Sequence, residues 1–271
     1  MQECTPEIIT KSAERARFDY KQISKNVQAF IISNPQNKKS FIAAPWMIYP
    51  NQQQWHAGIM KYKDLSAHFL GQNNFKIIPG NFLYTDEYDG SELYKRLLDS
   101  IEVIGGFPCV IKPNNGSTSK FVYIIQNEID LNSHIIEIKE NIPELLVQKY
   151  IQEDEYRLFI YLGKILFLYK KTFISNTAIT TRDLGAPDDI SYMMKQNFPD
   201  YLNEYAQKLY SLTSAEIIGA DVFIKENIKT RQEITTIELN HNPGLGVMYE
   251  TYNEQEFILN FLSGVYQEYL S

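Results

Sequence analysis

From about residue 60 onward the chain switches repeatedly between the 3.6-residue period of a helix and the two-residue period of a strand. That alternation excludes a pure helix bundle and a pure strand sandwich, and it requires helices laid on sheets. Three strand pairs read as hairpins: 107–112 with 120–126, 156–162 with 164–171 around Gly163, and 219–224 with 234–240. Further strands are read at 75–83, broken by Pro79-Gly80, and at 145–151. Hairpins pair antiparallel, so the expected fold class is α+β. The helices are read at 63–72, after Ser91 as N-cap and up to Gly105-Gly106, then at 128–140, 200–214 and 253–270. Ahead of these, Pro6 to Phe30 reads as a helix with Ile8, Ile9, Ala16, Tyr20, Ile23 and Val27 on its apolar face. Phe41 to Tyr49 reads as a strand interrupted by Pro45. The pattern divides into 1–60, a short N-terminal region, 61–145, a central subdomain, and 146–271, a C-terminal subdomain.

Composition narrows the function. At 271 residues, 44% hydrophobic and 13% aromatic, the chain has the material for a sizeable core. A net charge of -7 argues against nucleic acid as the main partner, because phosphate backbones are bound by clustered Lys and Arg. Cys4 and Cys109 lie far apart without CxxC spacing, which points away from a disulfide framework or a zinc site. The N-terminus has neither the basic start nor the apolar run of a signal peptide, and no stretch is long enough to span a bilayer. The expectation is a cytoplasmic protein with small-molecule or peptide substrates and no membrane or nucleic-acid partner. A homodimer is left open.

The chemistry gathers on the strands. Lys112 ends the apolar strand Phe107-Pro-Cys-Val-Ile-Lys, where an ammonium loses hydration unless an anion meets it; the alternative is a strand end in water. The following Gly116-Ser-Thr-Ser119 offers backbone N–H and hydroxyl donors of the kind that cradle phosphate, and is otherwise a turn. In Leu145 to Ile151, alternation puts Gln148 with Leu146 on one face and Lys149 with Val147 on the other. Such a strand suits the edge of an adenine ring, or else is a solvated edge. Glu155 and Arg157 share a face and could form a surface ion pair, while Lys170, Lys171 and Arg182 add positive charge. In the last hairpin, period two puts Glu238 and Asn240 on one face, with Asp221 within about one residue of the position opposite Glu238. Two carboxylates and an amide oxygen are hard ligands that suit Mg2+ beside nucleotide phosphates; the alternative is pairing with lysines. Walker A, Rossmann, HExxH and GxSxG signatures are absent.

In order and spacing this set resembles the ATP-grasp superfamily, which includes D-alanine ligases, glutathione synthetases and ribosomal-protein glutamate ligases. The likeness runs from about Lys63 to Gly244, roughly two-thirds of the chain. It implies two α/β subdomains clasping ATP. Lys63, or Lys61 in its place, and Lys112 would be the nucleotide lysines, with Gly116 and Ser117 in a phosphate-covering hairpin. Gln148, Lys149 and Ile151 would form the adenine linker, and Glu155 would bind ribose. Arg157, Lys171 and Arg182 would hold the γ-phosphate or acyl phosphate. Asp221, Glu238 and Asn240, followed by Asn242-Pro-Gly244, would carry Mg2+, or Mn2+ in its place. The activity implied is a carboxylate–amine ligase forming an amide through an acyl phosphate; a kinase and a non-catalytic nucleotide-binding module stand as alternatives. Three features depart from the pattern: Lys120-Phe121 where relatives often have further glycines, only about sixty residues ahead of Lys63, and no Asn-x-x-x-Gly in 172–185.

Overall fold

The computed structural model describes residues 4–24, 26–51, 53–116, 120–172, 181–182, 189–225, 233–251 and 254–271, with the side chains of 172, 181–182, 189–193 and 251 excepted. Contacts divide the chain into Met1–Gln53 with Asn242–Ser271, and Gln54–His241. The terminal helix therefore groups with the N-terminal region, whereas the sequence boundaries had set it with the C-terminal subdomain.

In the first unit, α1 (Thr5–Arg15) buries Ile8, Ile9 and Ala13. The helix expected up to Phe30 ends here instead. Arg17 turns left-handed at φ 61°, and the amide of Phe18 bonds back to the carbonyl of Ala13 at 2.9 Å, closing a Schellman-type stop. The β-branched and aromatic residues beyond it then build a meander of β1 (Asp19–Ser24), β2 (Val27–Ser33) and β3 (Ser40–Ala43). Period two buries Phe30 and Ile32 and exposes Ile31, a pattern that a helical reading cannot separate over so short a window.

The second unit starts with α2 (Gln54–Lys61), α3 (Lys63–Gln72), β4 (Lys76–Ile77) and β5 (Gly80–Tyr84). Helix α4 (Gly90–Val103) is capped by Asp89, whose carboxylate accepts from the amides of Ser91 and Glu92 at 2.9 Å. Ser91, expected to cap it, lies two positions beyond the cap, as the second residue of the helix. At its end Gly105 and Gly106 adopt φ of 101° and 86°, and Gly106 donates to Ile101 at 2.8 Å. Then follow β6 (Cys109–Pro113), β7 (Val122–Ile125), α5 (Glu128–Asn141), β8 (Glu144–Lys149), β9 (Asp154–Tyr161), β10 (Lys164–Thr172), β11 (Thr181–Arg182), β12 (Asp189–Met194), α6 (Asp200–Thr213), β13 (Ile217–Ile224) and β14 (Ile234–Asn240). The expected terminal helix is α8 (Gln255–Leu270); a short α7 (Gly246–Thr251), not expected from the sequence, precedes it, and both belong to the first unit. There Arg15 forks onto the carboxylate of Glu256 at 2.7 and 2.8 Å, and Asn34 and Asn37 donate to the carbonyl of Leu270.

Two sheets organise the second unit, in the orders β12-β10-β9-β13-β14-β4 and β11-β7-β6-β8-β5. Each has one face covered by helices. Leu158, Leu168, Ala220, Val222 and Leu239 pack on Leu202, Ala206 and Leu209 of α6, and Cys109, Ile111, Leu145 and Val147 share a core with Leu93, Leu97 and Leu131. Each buried Leu, Ile or Val among them contributes about 1.5–3 kcal/mol. Cys4 and Cys109 are both buried and are not joined in a disulfide, and among the described residues no helix is long and apolar enough to cross a membrane.

Candidate functional site

The face of the six-stranded sheet turned away from α6 carries the charged residues. Arg157 on β9 lies opposite Asp221 on β13, and Asp221 lies opposite Glu238 on β14. That row depends on a bulge. Thr236 faces the helices, where its hydroxyl meets Tyr205 at 2.8 Å, and Leu239 also lies in that core, so simple alternation would turn Glu238 inward with Thr236. The register shift between Asp221/Glu238 and Val222/Thr236 puts one extra residue in β14 and brings Glu238 and Asn240 onto the face turned away from α6.

Asp221 is the centre of an ion lattice. Its side chain is 2% exposed; Arg157 donates through Nε to Oδ1 and through Nη2 to Oδ2 at 2.6 Å, and Lys171 Nζ lies 2.9 Å from Oδ2. Lys171 also meets Glu155 Oε1 at 2.5 Å. Glu155 and Arg157 are thus no surface pair with each other: each has a cross-strand partner of opposite charge. Burial alone would raise the Asp221 pKa, but Arg157 and Lys171 outweigh it and hold the carboxyl below the usual carboxylate range. Burial opposes the charge on Arg157 and on Lys171 as well, and Asp221 reverses it so that both are raised. Beyond this lattice Phe159, Phe167 and Tyr169 stack along the same face, with centroids 4.7 and 6.4 Å apart.

The face of the five-stranded sheet turned away from its helices supplies the opposing wall. Lys112 pairs with Leu146 and Val110 with Gln148, while the neighbours Cys109, Ile111 and Val147 point into the helix-side core. Lys112 is 7% exposed and has no hydrogen-bond or ion-pair partner among the described residues. Burial pulls its pKa down to about 8; Glu238, Glu155 and Asp221 work against that, and Lys63 reinforces it. Lys63 links the two faces, bonding to the carbonyl of Gly116 and standing 3.8 Å from Glu238 Oε2, and so sets them across a shared cleft. Gln148, buried on the cleft side, lies close against Gly80, where a Cβ would stand 3.0 Å from its Cγ and 3.2 Å from the carbonyl of Val147. Lys149 falls on the other face, paired with Cys109, and its ammonium lies beside Gly105. Only the main chain of Lys149 is available to the cleft.

Lys63, at the start of α3, brings Nζ to 3.1 Å from the carbonyl of Gly116, 3.4 Å from that of Asn114 and 3.8 Å from Glu238 Oε2. Lys61 is exposed and lies over the Tyr62 ring, so Lys63 is the lysine that reaches the cleft. Ile151 follows β8, half-buried. Ser117 lies outside the described residues; so does the side chain of Arg182, whose backbone pairs with Val122 at the edge of the smaller sheet. The amide of Asn242, expected within the metal signature, accepts from Ile48 N and donates to the Pro45 carbonyl, both at 3.1 Å, inside the first unit.

The donors fit a hard divalent cation. Among the described residues no cluster of three or more His, Cys, Asp or Glu could hold a metal by itself. Glu238 and Asn240 nonetheless present oxygen on one face, with Asp221 alongside, and Mg2+ commonly takes one or two carboxylates and completes its shell with phosphate oxygens and water. The sequence reading missed Asn114, which looked like one member of a polar turn and is described below. It also missed the aromatic stack, although 155/157/159 and 167/169/171 alternate on one face and carry that signal.

No protein-family model matches the sequence. A D-alanine–D-alanine ligase of Clostridium botulinum is 26% identical over 190 residues, 68% of this chain and 58% of that protein. Among solved structures, the VanG D-Ala:D-Ser ligase of Enterococcus faecalis aligns at a TM-score of 0.55 and 14% identity, over 78% of this chain and 62% of that one. The ATP-grasp ligase PsnB, complexed with a phosphomimetic variant of its minimal precursor, Mg and ADP, aligns at 0.51 and 14%, over 79% and 60%. The chain spans about half the length of the curated relatives it matches.

Proposed function

We propose that this chain, which has the ATP-grasp fold, is an ATP-dependent carboxylate–amine ligase acting on an amino acid or peptide. One observation carries the reading: the buried Lys112 ammonium has no acceptor among the described residues, while Lys63 Nζ lies 3.1 Å from the carbonyl of Gly116, shortly beyond the Lys112 strand, and 3.8 Å from Glu238 Oε2. A metal-bound polyphosphate satisfies both sides at once, because its anionic oxygens meet the ammonium and its cation meets the carboxylate.

In this reading Gln148, with the main chain of Lys149 and Ile151, borders the adenine, and Glu155 binds the ribose. Lys63, Lys112 and the Gly116–Ser117 segment hold the phosphates. Glu238 and Asn240, with Asp221 alongside, would hold Mg2+, or Mn2+ in its place, and the ion would neutralise charge on the transferring phosphoryl group. Arg157, Lys171 and Arg182 address the terminal phosphate. An oxygen of the substrate carboxylate attacks the γ-phosphorus, the bond to the bridging oxygen breaks, and ADP leaves. The amine nitrogen then attacks the acyl carbon of the acyl phosphate and loses a proton as inorganic phosphate departs, leaving an amide. Fixed cations placed where charge develops supply most of the acceleration in phosphoryl transfer.

The test is ADP release over a panel of amino acids and short peptides offered singly and in pairs. Release that requires an acid and an amine together, with an amide in the products, supports the ligase. Release with one substrate alone and a stable phosphorylated product contradicts it.

A further inference from the structure

Helix α3 begins without a cap of its own: Tyr62, at the N-cap position, contributes no side-chain hydrogen bond. The cap comes from the other sheet. Asn114, just past the end of β6 and 50 residues downstream, accepts the amide of Asp64 on Oδ1 at 2.9 Å. Its carbonyl accepts the amide of Lys63 at 3.1 Å and the Lys63 ammonium at 3.4 Å, and its own amide donates to the carbonyl of Glu144 on β8 at 2.8 Å. Tyr62 and Asn115 add an antiparallel bridge. Asn114 is 2% exposed and therefore joins three elements from inside the protein.

This joint answers an electrostatic problem. Lys63 and Lys112 carry like charges close enough for Lys63 to disfavour the charge on Lys112. A lysine on a flexible four-carbon stem would swing into water to escape that repulsion. The carbonyls of Asn114 and Gly116 hold Lys63 in place, and the Asn114 side chain fixes the helix turn from which Lys63 projects. We propose that Asn114 is a positioning residue that locks Lys63 beside Lys112 by capping α3 from the neighbouring sheet, so that both ammonium groups meet the same polyphosphate. The proposal rests on the nucleotide reading above for its ligand, and on the hydrogen bonds alone for the cap.

The test separates the two. Asn114→Leu keeps the volume and removes the acceptor, whereas Asn114→Asp keeps an acceptor at the same place. Amide exchange is read at Asp64, and Mg-ADP affinity by calorimetry, each variant being made with Lys63 present and with Lys63→Met. The expectation is faster exchange at Asp64 in Asn114→Leu only, with affinity about tenfold weaker than that of the unsubstituted protein, and no further loss from Asn114→Leu once Lys63 is gone. Unchanged exchange at Asp64 overturns the cap. An equal loss of affinity in both backgrounds overturns action through Lys63. Absence of Mg-ADP binding by the unsubstituted protein instead defeats the nucleotide reading, and exchange at Asp64 still decides the cap. Should Asn114→Leu fail to fold, Asn114→Ser, whose hydroxyl falls short of the Asp64 amide, carries the same comparison.

Discussion

At the residue scale, Lys112 shows how a site can be held at the expense of the fold. Its pKa is lowered from 10.5 to about 8, so keeping it charged at neutral pH costs on the order of 3 kcal/mol. The sign follows from the direction: the cost is full below pH 8, where the group is charged whether folded or unfolded, and it fades as pH rises from 8 towards 10.5. Lys112→Met is therefore expected to raise the melting temperature at pH 7 while weakening nucleotide binding; a lower melting temperature would contradict the burial account. A polyphosphate beside the ammonium favours its charged form, so binding of Mg-ADP at pH 8.5 should take up protons. Calorimetry in buffers of different ionisation enthalpy reads that uptake directly, and an enthalpy independent of buffer speaks against it. Asp221 has the opposite sign. Its carboxyl is held low, so its contribution to stability is present above about pH 4 and is lost as pH falls. Asp221→Asn leaves Arg157 and Lys171 buried without their shared anion and is expected to cost about 3–5 kcal/mol in denaturant unfolding, where a change under about 1 kcal/mol would mean the lattice is solvated.

At the element scale, the turns decide what sequence periodicity leaves undecided. Arg17 occupies a left-handed position at the end of α1, and Arg17→Gly is expected to stabilise the first unit by about 1 kcal/mol in thermal or urea unfolding. A loss of stability there would show that the Arg17 side chain matters more than its backbone. The same stop explains why the helix expected over residues 6–30 is mostly sheet: its apolar positions suited both periods, and only the termination at Arg17 separates them. The long, strongly patterned elements around the cleft were legible because each buries one face against helices, which fixes its alternation. Asp221 and Glu238 were legible to within a residue. The bulge that aligns them was not, since an extra residue leaves the local composition unchanged.

At the scale of the whole molecule, the two-sheet clasp was legible from the order of its hairpins, while the partners of its charges were not. Arg157 and Asp221 are 64 residues apart and Lys63 and Gly116 are 53 apart, so only the folded register brings them together. Asn114 was hidden for the same reason, because its cap is given to a helix from another part of the chain. Under the proposed function these two sheets hold a metal-bound nucleotide between them. The most direct measurement is the calorimetric affinity for Mg-ADP of the unsubstituted protein beside Lys112→Met and Glu238→Gln. Binding is expected to weaken by at least about tenfold, roughly 1.4 kcal/mol, with either substitution, one acting through the phosphates and the other through the metal. No binding, or binding indifferent to both changes, would contradict it.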